Sequence, residues 1–72
     1  MKLTTTQREL LEVIAEGEAL SSKQILEGFS RTRVRNALPF LMEEAFVHFQ
    51  KDKEGTDLIA LDHRGHDLLT RA

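Results

Sequence analysis

Arg31-Thr32-Arg33-Val34-Arg35-Asn36 is the densest run of hydrogen-bonding forks in this 72-residue chain. A guanidinium pairs bidentately with guanine O6 and N7, and a carboxamide with adenine N6 and N7, so such a run suits base edges. A second group, Ser21-Ser22-Lys23, puts two hydroxyls and an ammonium at a helix start. There, unpaired N–H groups and the positive dipole end suit a phosphate oxygen. His63 and His66 lie three apart beside Asp62 and Asp67. That spacing can turn two imidazoles toward a metal ion, but such pairs arise often by chance and a helix cap accounts for Asp62. No metal or other cofactor is expected. No serine–histidine–aspartate set, close carboxylate pair or glycine-rich phosphate loop is present, and the chain is not expected to be an enzyme.

The net charge is −2, from 10 Lys and Arg against 12 Asp and Glu, whereas a nucleic-acid-binding domain is usually basic. The distribution says more than the total. Residues 23–36 carry Lys23, Arg31, Arg33 and Arg35 against Glu27 alone, and the segments on either side are acidic. A chain of this length makes one domain, residues 1–72, with a small core netting about 3–5 kcal/mol. Apolar residues at 40% and charged ones at 31% are the balance of a folded domain rather than a disordered chain. The absence of cysteine removes disulfides, thiol nucleophiles and thiolate metal sites, and fits a cytoplasmic location. The longest apolar run, Ala37–Met42, contains Pro39 and falls far short of the ~20 residues a bilayer span needs. Neither a membrane partner nor a signal peptide is expected.

Caps and periodicity give the scaffold that carries these groups. Thr4 with Gln7, or Thr6 with Glu9, has capping-box spacing. Leu10, Leu11, Val13, Ile14 and Ala15 form an apolar face opposite Glu9, Glu12 and Glu16. The pattern predicts a first helix over about residues 5–16, with Gly17 as a left-handed stop and the acidic face solvated. Glu18-Ala19-Leu20 reads as a short connector with room for a single bridge of strand. Ser21 and Gln24 then cap a short second helix carrying Ile25, Leu26 and Phe29, ended by Gly28, and Ser30 caps a third at once. Two helices joined by so tight a turn form a helix-turn-helix unit.

In the third helix, about residues 31–44, Val34, Ala37, Leu38, Leu41 and Ala45 face the core. Arg31, Thr32, Arg35 and Asn36 face away, with Arg33 at the flank. Pro39 lacks the N–H that would reach the Arg35 carbonyl, which predicts a kink or early break. From Phe46 the period falls to two: a strand Phe46–Lys51, a loop Asp52-Lys53-Glu54-Gly55 and a return strand Thr56–Leu61. The unbroken apolar run Leu58–Leu61 implies either two covered faces or one that meets a partner chain. Asp62 caps a last helix over about residues 63–71, with Leu68 and Leu69. The spacing of Phe29, Phe40, Phe46 and Phe49 suits core packing better than a base-stacking platform.

The order helix, connector, helix, helix, hairpin, short helix resembles the winged-helix branch of the helix-turn-helix families, in particular small transcriptional regulators of the MarR and PadR type. The resemblance runs from Leu3 to Leu69. It rests on Leu38, Leu41, Ala45, Phe46 and Val47 leading into the first wing strand, with Ala45 where those families usually have glycine. It rests also on Leu61-Asp62-His63-Arg64-Gly65 followed by Leu68-Leu69, with Asp62 in place of a capping threonine. It implies an α+β winged helix: a three-helix helix-turn-helix core, a β-hairpin wing and a short C-terminal helix.

Duplex DNA binding follows from the resemblance, with helix 3 in the major groove as in a transcriptional regulator. Arg31, Thr32, Arg35 and Asn36 become the candidate base readers, with Arg33 on phosphate or sharing the base edge. Ser21, Ser22 and Lys23 become phosphate contacts. Lys51 and Lys53 on the wing are further candidates, although Asp52, Glu54 and Asp57 around them repel phosphate, and a wing that only protects a sheet edge fits as well. One such module binds weakly, so a homodimer or cooperative assembly on DNA is expected. With no long terminal helix, a dimer would use helix 1, the last helix or the Leu58/Ala60 face. Two alternatives remain: a winged-helix protein-interaction module without DNA binding, favoured by the overall acidity, and an excisionase-like architectural protein that bends DNA.

Overall fold

Four short polar side chains set where the helices begin in this computed structural model, which describes residues 2–71. Thr4 Oγ1 accepts the Gln7 N–H at 3.1 Å, and Gln7 Oε1 accepts the Thr4 N–H at 2.9 Å. This complete capping box opens α1 (Thr5–Gly17). Ser21 and Gln24 repeat it at 3.3 and 2.9 Å, opening α2 (Ser22–Leu26). Ser30 Oγ accepts the Arg33 N–H at 3.2 Å at the start of α3 (Arg31–Glu43). Asp62 Oδ1 accepts the His63 N–H at 2.7 Å at the head of α4 (His63–Thr70). That bond, with the His48 imidazole 3.3 Å away, holds the Asp62 carboxyl below its ordinary value. The cap is therefore present at neutral pH and is lost only as the pH falls through that lowered value.

The segment read as a connector is an edge strand. β1 (Ala19–Ser21), β2 (Val47–Lys51) and β3 (Asp57–Leu61) form an antiparallel sheet in the order β1-β3-β2. Ala19 pairs with Ala60 and Leu20 with Ile59 on one side of β3, while Val47 pairs with Leu61 and Phe49 with Ile59 on the other. The last strand is thus the central one, which accounts for the apolar run Leu58–Leu61. Ile59 and Leu61 turn toward the helices, and Ala60, flanked in register by Ala19 and His48, is buried on the opposite face. The core lies between α1, α2, α3 and one face of the sheet, with Leu10, Leu11, Ile14, Ile25, Leu41 and Ile59 at its centre.

Three turns differ from the sequence reading, each for a local reason. Gly17 is the last residue of α1 rather than a left-handed stop; the positive φ, 65°, falls on Glu18. What Gly17 answers is the close approach of Leu20, whose Cγ would lie 2.8 Å from an added Cβ. Pro39 neither ends nor interrupts α3, which runs on to Glu43. Pro39 lies on the exposed side of the helix, as does Arg35, whose carbonyl loses its helical donor to the ring.

The third difference is at the end of α3. Phe46 N–H donates to the Leu41 carbonyl at 2.9 Å and Ala45 N–H to the Met42 carbonyl at 3.1 Å, the two bonds of a Schellman motif. Phe46 therefore belongs to the helix stop, buried beside Leu41, and the strand begins only at Val47. Ala45 is the left-handed residue of that motif, at φ 59°, and not a core-facing helical one. An L side chain there costs about 1–2 kcal/mol, part of which glycine's larger unfolded-state freedom offsets. Ala45→Gly is accordingly expected to raise stability by about 0.5–1 kcal/mol, read as a higher urea midpoint at unchanged slope.

Candidate nucleic-acid interface

The α2–α3 pair is set by a short turn whose one large apolar residue, Phe29, is buried. α2 ends at Leu26, two residues before Gly28, and the Phe29 N–H reaches the Ile25 carbonyl at 3.0 Å. α3 starts directly after Ser30. Its inward stripe is Ala37 and Leu41, with Val34 and Leu38 half-buried beside them. The helical period then leaves Arg31, Thr32, Arg35 and Asn36 on one outward face together with Pro39, and all five are exposed. Among the described residues, no ion pair engages Arg31 or Arg35.

Arg33 is directed elsewhere. Its Nη2 donates to Glu9 Oε2 at 2.8 Å and its Cζ lies 4.7 Å from the centroid of the Phe29 ring. Both partners of the ion pair are about half exposed, so the charge interaction alone is modest. Together with the cation–π contact it pins the first turn of α3 to α1 and to the turn before it. Glu9 stays exposed with Glu12 and Glu16 on the acidic face of α1, but its carboxylate is engaged by Arg33.

At the start of α2, the Ser21 hydroxyl is committed to the Gln24 N–H, and Ser21 is also the last residue of β1. Ser22 and Lys23 are exposed beside it. The β2–β3 hairpin adjoins this cluster through β3, whose Leu58 pairs with Ser21, and is exposed from Phe49 to Asp57. Asp52 Oδ1 organises its tip by accepting the Glu54 and Thr56 N–H groups, each at 2.9 Å, and Gly55 takes φ 84°. Lys51 Nζ is paired with Asp57 Oδ1 at 3.1 Å, which leaves Lys53 as the hairpin's cation without an ion pair among the described residues.

Two features were not anticipated from the sequence. One is a shallow hollow of about 300 Å³ between α2, α3 and β3, floored by Ile25, Leu26, Val34, Leu38 and Ile59 and flanked by Ser22, Arg31 and Arg35. The other is Phe49, expected in the core but 53% exposed. Strand alternation places it on the same sheet face as Val47 and Ile59, but the helices do not extend over it. Phe29 and Phe46 are buried as expected, and Phe40 stacks at a tilt against Phe46 with centroids 6.4 Å apart.

Among the described residues no three His, Cys, Asp or Glu side chains stand together in a metal-holding group, and no helix is long and apolar enough to cross a membrane. The chemistry the cluster offers is that of the Arg31 and Arg35 guanidiniums, without an ion pair among the described residues, the Lys23 ammonium, the Asn36 carboxamide and the Ser22 and Thr32 hydroxyls, on adjoining helix starts. No family model, no curated protein and no solved structure matches this chain.

Proposed function

We propose that the chain is a winged helix-turn-helix domain that binds double-stranded DNA and acts as a transcriptional regulator, with α3 entering the major groove. The observation that carries this reading is the outward face Arg31, Thr32, Arg35 and Asn36: two guanidinium forks without an ion pair among the described residues, and a carboxamide, on the first turns of a helix that packs against its neighbours from behind. The tight α2–α3 turn and the β1-β3-β2 sheet are compatible with the layout. In this reading Ser22 and Lys23 meet the backbone beside the groove, and Arg33 supports α3 instead of touching the duplex. Occupation of a site, rather than catalysis, is the mechanism: phosphate contacts set affinity and register, and the α3 side chains set sequence preference.

The test is an NMR titration of labelled protein with a short duplex at low and near-physiological salt. Salt-sensitive shifts confined to residues 22–23 and 31–36 support the reading; silence of α3 at low salt overturns it and leaves protein docking as the better account. The salt dependence is itself diagnostic. With Lys23 as the cation placed on phosphate, the slope of log Kobs against log salt is expected to be about −1, and engagement of Lys53 adds about one more.

A further inference from the structure

We infer that the chain self-associates by seating the β2–β3 hairpin of one copy in the α2–α3 hollow of another, and that this pairing competes with DNA. Phe49 is the large apolar side chain the fold leaves exposed among the described residues, at 53%. The hollow is apolar, holds about 300 Å³ and is empty within the chain's own fold. Phe49 cannot fill it from within the same copy, because its register with Ile59 fixes it beside that residue and not above the hollow. A second copy can deliver the ring from outside.

Charge complementarity selects this occupant. Arg31 and Arg35 flank the hollow with no ion pair among the described residues. The hairpin that carries Phe49 also carries Asp52, Glu54 and Asp57 against Lys51 and Lys53, and Asp57 already neutralises Lys51. Placing Phe49 in the hollow brings the Glu54 end of one hairpin toward the guanidiniums of the other copy. Each copy offers both halves of the contact, so a two-fold arrangement satisfies two hairpins and two hollows at once. The patch is a small part of the chain's 5117 Å² surface, which puts the dimer at the low end of interface sizes, with dissociation roughly in the micromolar range or weaker.

The consequence for DNA rests on the proposed function. Arg31 and Arg35 cannot meet a base edge while they meet a partner's hairpin, so free protein stores its reading face in the dimer and DNA draws on the monomer. This pairing off DNA is distinct from copies assembling side by side on a site.

Sedimentation velocity on the full chain, from micromolar to millimolar concentration, tests the inference. A concentration-dependent dimer is expected, weakened at least about tenfold by Phe49→Ser and several-fold by Glu54→Lys, with both variants folded by circular dichroism. Combining Glu54→Arg with Arg35→Glu should restore much of the association that either loses alone. A monomer at every concentration, or a dimer indifferent to Phe49→Ser, overturns the inference. So does a shift of the Phe49 resonances on adding duplex without any on dilution, which would put the hairpin on DNA. If the dimer forms as described and duplex does not bind, the DNA reading fails and the self-association stands. If duplex binds a strictly monomeric protein, the reverse holds.

Discussion

Replacing Arg31 and Arg35 together by alanine is expected to weaken duplex binding at least about thirty-fold while leaving the fold unchanged. Each bidentate guanidinium contact to a guanine edge is worth about 1–3 kcal/mol of discrimination, and about 1.4 kcal/mol is a factor of ten. The structural side of the experiment is unusually clean. Both side chains are exposed and neither pairs with a carboxylate among the described residues, so the change in unfolding free energy should stay within about 0.5 kcal/mol. Arg33→Ala is the internal control and should behave in the opposite way. It removes the bond to Glu9 and the contact over Phe29, so stability falls by about 1 kcal/mol and DNA binding changes only as far as α3 loosens. Fluorescence anisotropy with a labelled duplex, beside urea melts of the same preparations, reads both quantities. Equal losses of affinity from Arg33→Ala and from the double variant would sink the division of labour proposed for these arginines.

The largest effect on stability is expected at a residue far from that face. Gly65 is buried in the first turns of α4. A Cβ placed there would run into the Phe46 carbonyl oxygen and lie 2.7 Å from Leu61 Cδ1. The Phe46 carbonyl is fixed, because it accepts the Asp62 N–H at 2.9 Å and its residue closes the Schellman motif of α3. Backbone, unlike the end of a flexible side chain, cannot move aside. In Gly65→Ala, α4 must therefore lift from the α3–β2 junction, loosening Arg64 from the Phe46 ring and from Glu44, and with it the packing of Leu68 and Leu69. Alanine recovers about 1 kcal/mol of helix propensity, whereas overpacking costs about 1–3 kcal/mol and the undocking of α4 adds to it. The net loss is expected to be about 2–3 kcal/mol, half or more of what a domain this small commands. An unchanged urea midpoint for Gly65→Ala would show that α4 is not held by this close approach.

The parts of the fold that could be read in advance are those held by bonds between near neighbours. The caps at Thr4, Ser21, Ser30 and Asp62 close over one to three residues, so residue type and spacing are enough to place them. β1 was readable only as a connector with room for a single bridge, because three residues carry no periodicity and its partner lies at the other end of the chain. Pro39 does not end α3 early, because a proline's effect depends on which side of the helix it occupies, and its outward position is settled by tertiary packing. The outward face of α3 was legible from helical period alone, down to the separation of Arg31 and Arg35 from Arg33. That Arg33 meets Glu9, 24 positions earlier in the chain, was not. Phe49 illustrates the same limit: alternation gives the face a strand residue occupies, but only the packed structure says how far the helices cover that face.

The strand order sets the timing of folding. β1 and β2 never pair with each other; both wait for β3, the last strand to be synthesised. The β2–β3 hairpin closes over a short loop, but Ala19 meets Ala60 only after the long intervening chain has closed, so the sheet is completed late, when β1 docks on residues 58–60. A nascent chain held on the ribosome short of Asp57 has the polypeptide for α1, α2 and α3 but no sheet to cover Leu10, Leu41 or Val47. α3 thus acquires its full backing only when β3 arrives, and a chain ended early would present Arg31 and Arg35 on an unsupported helix.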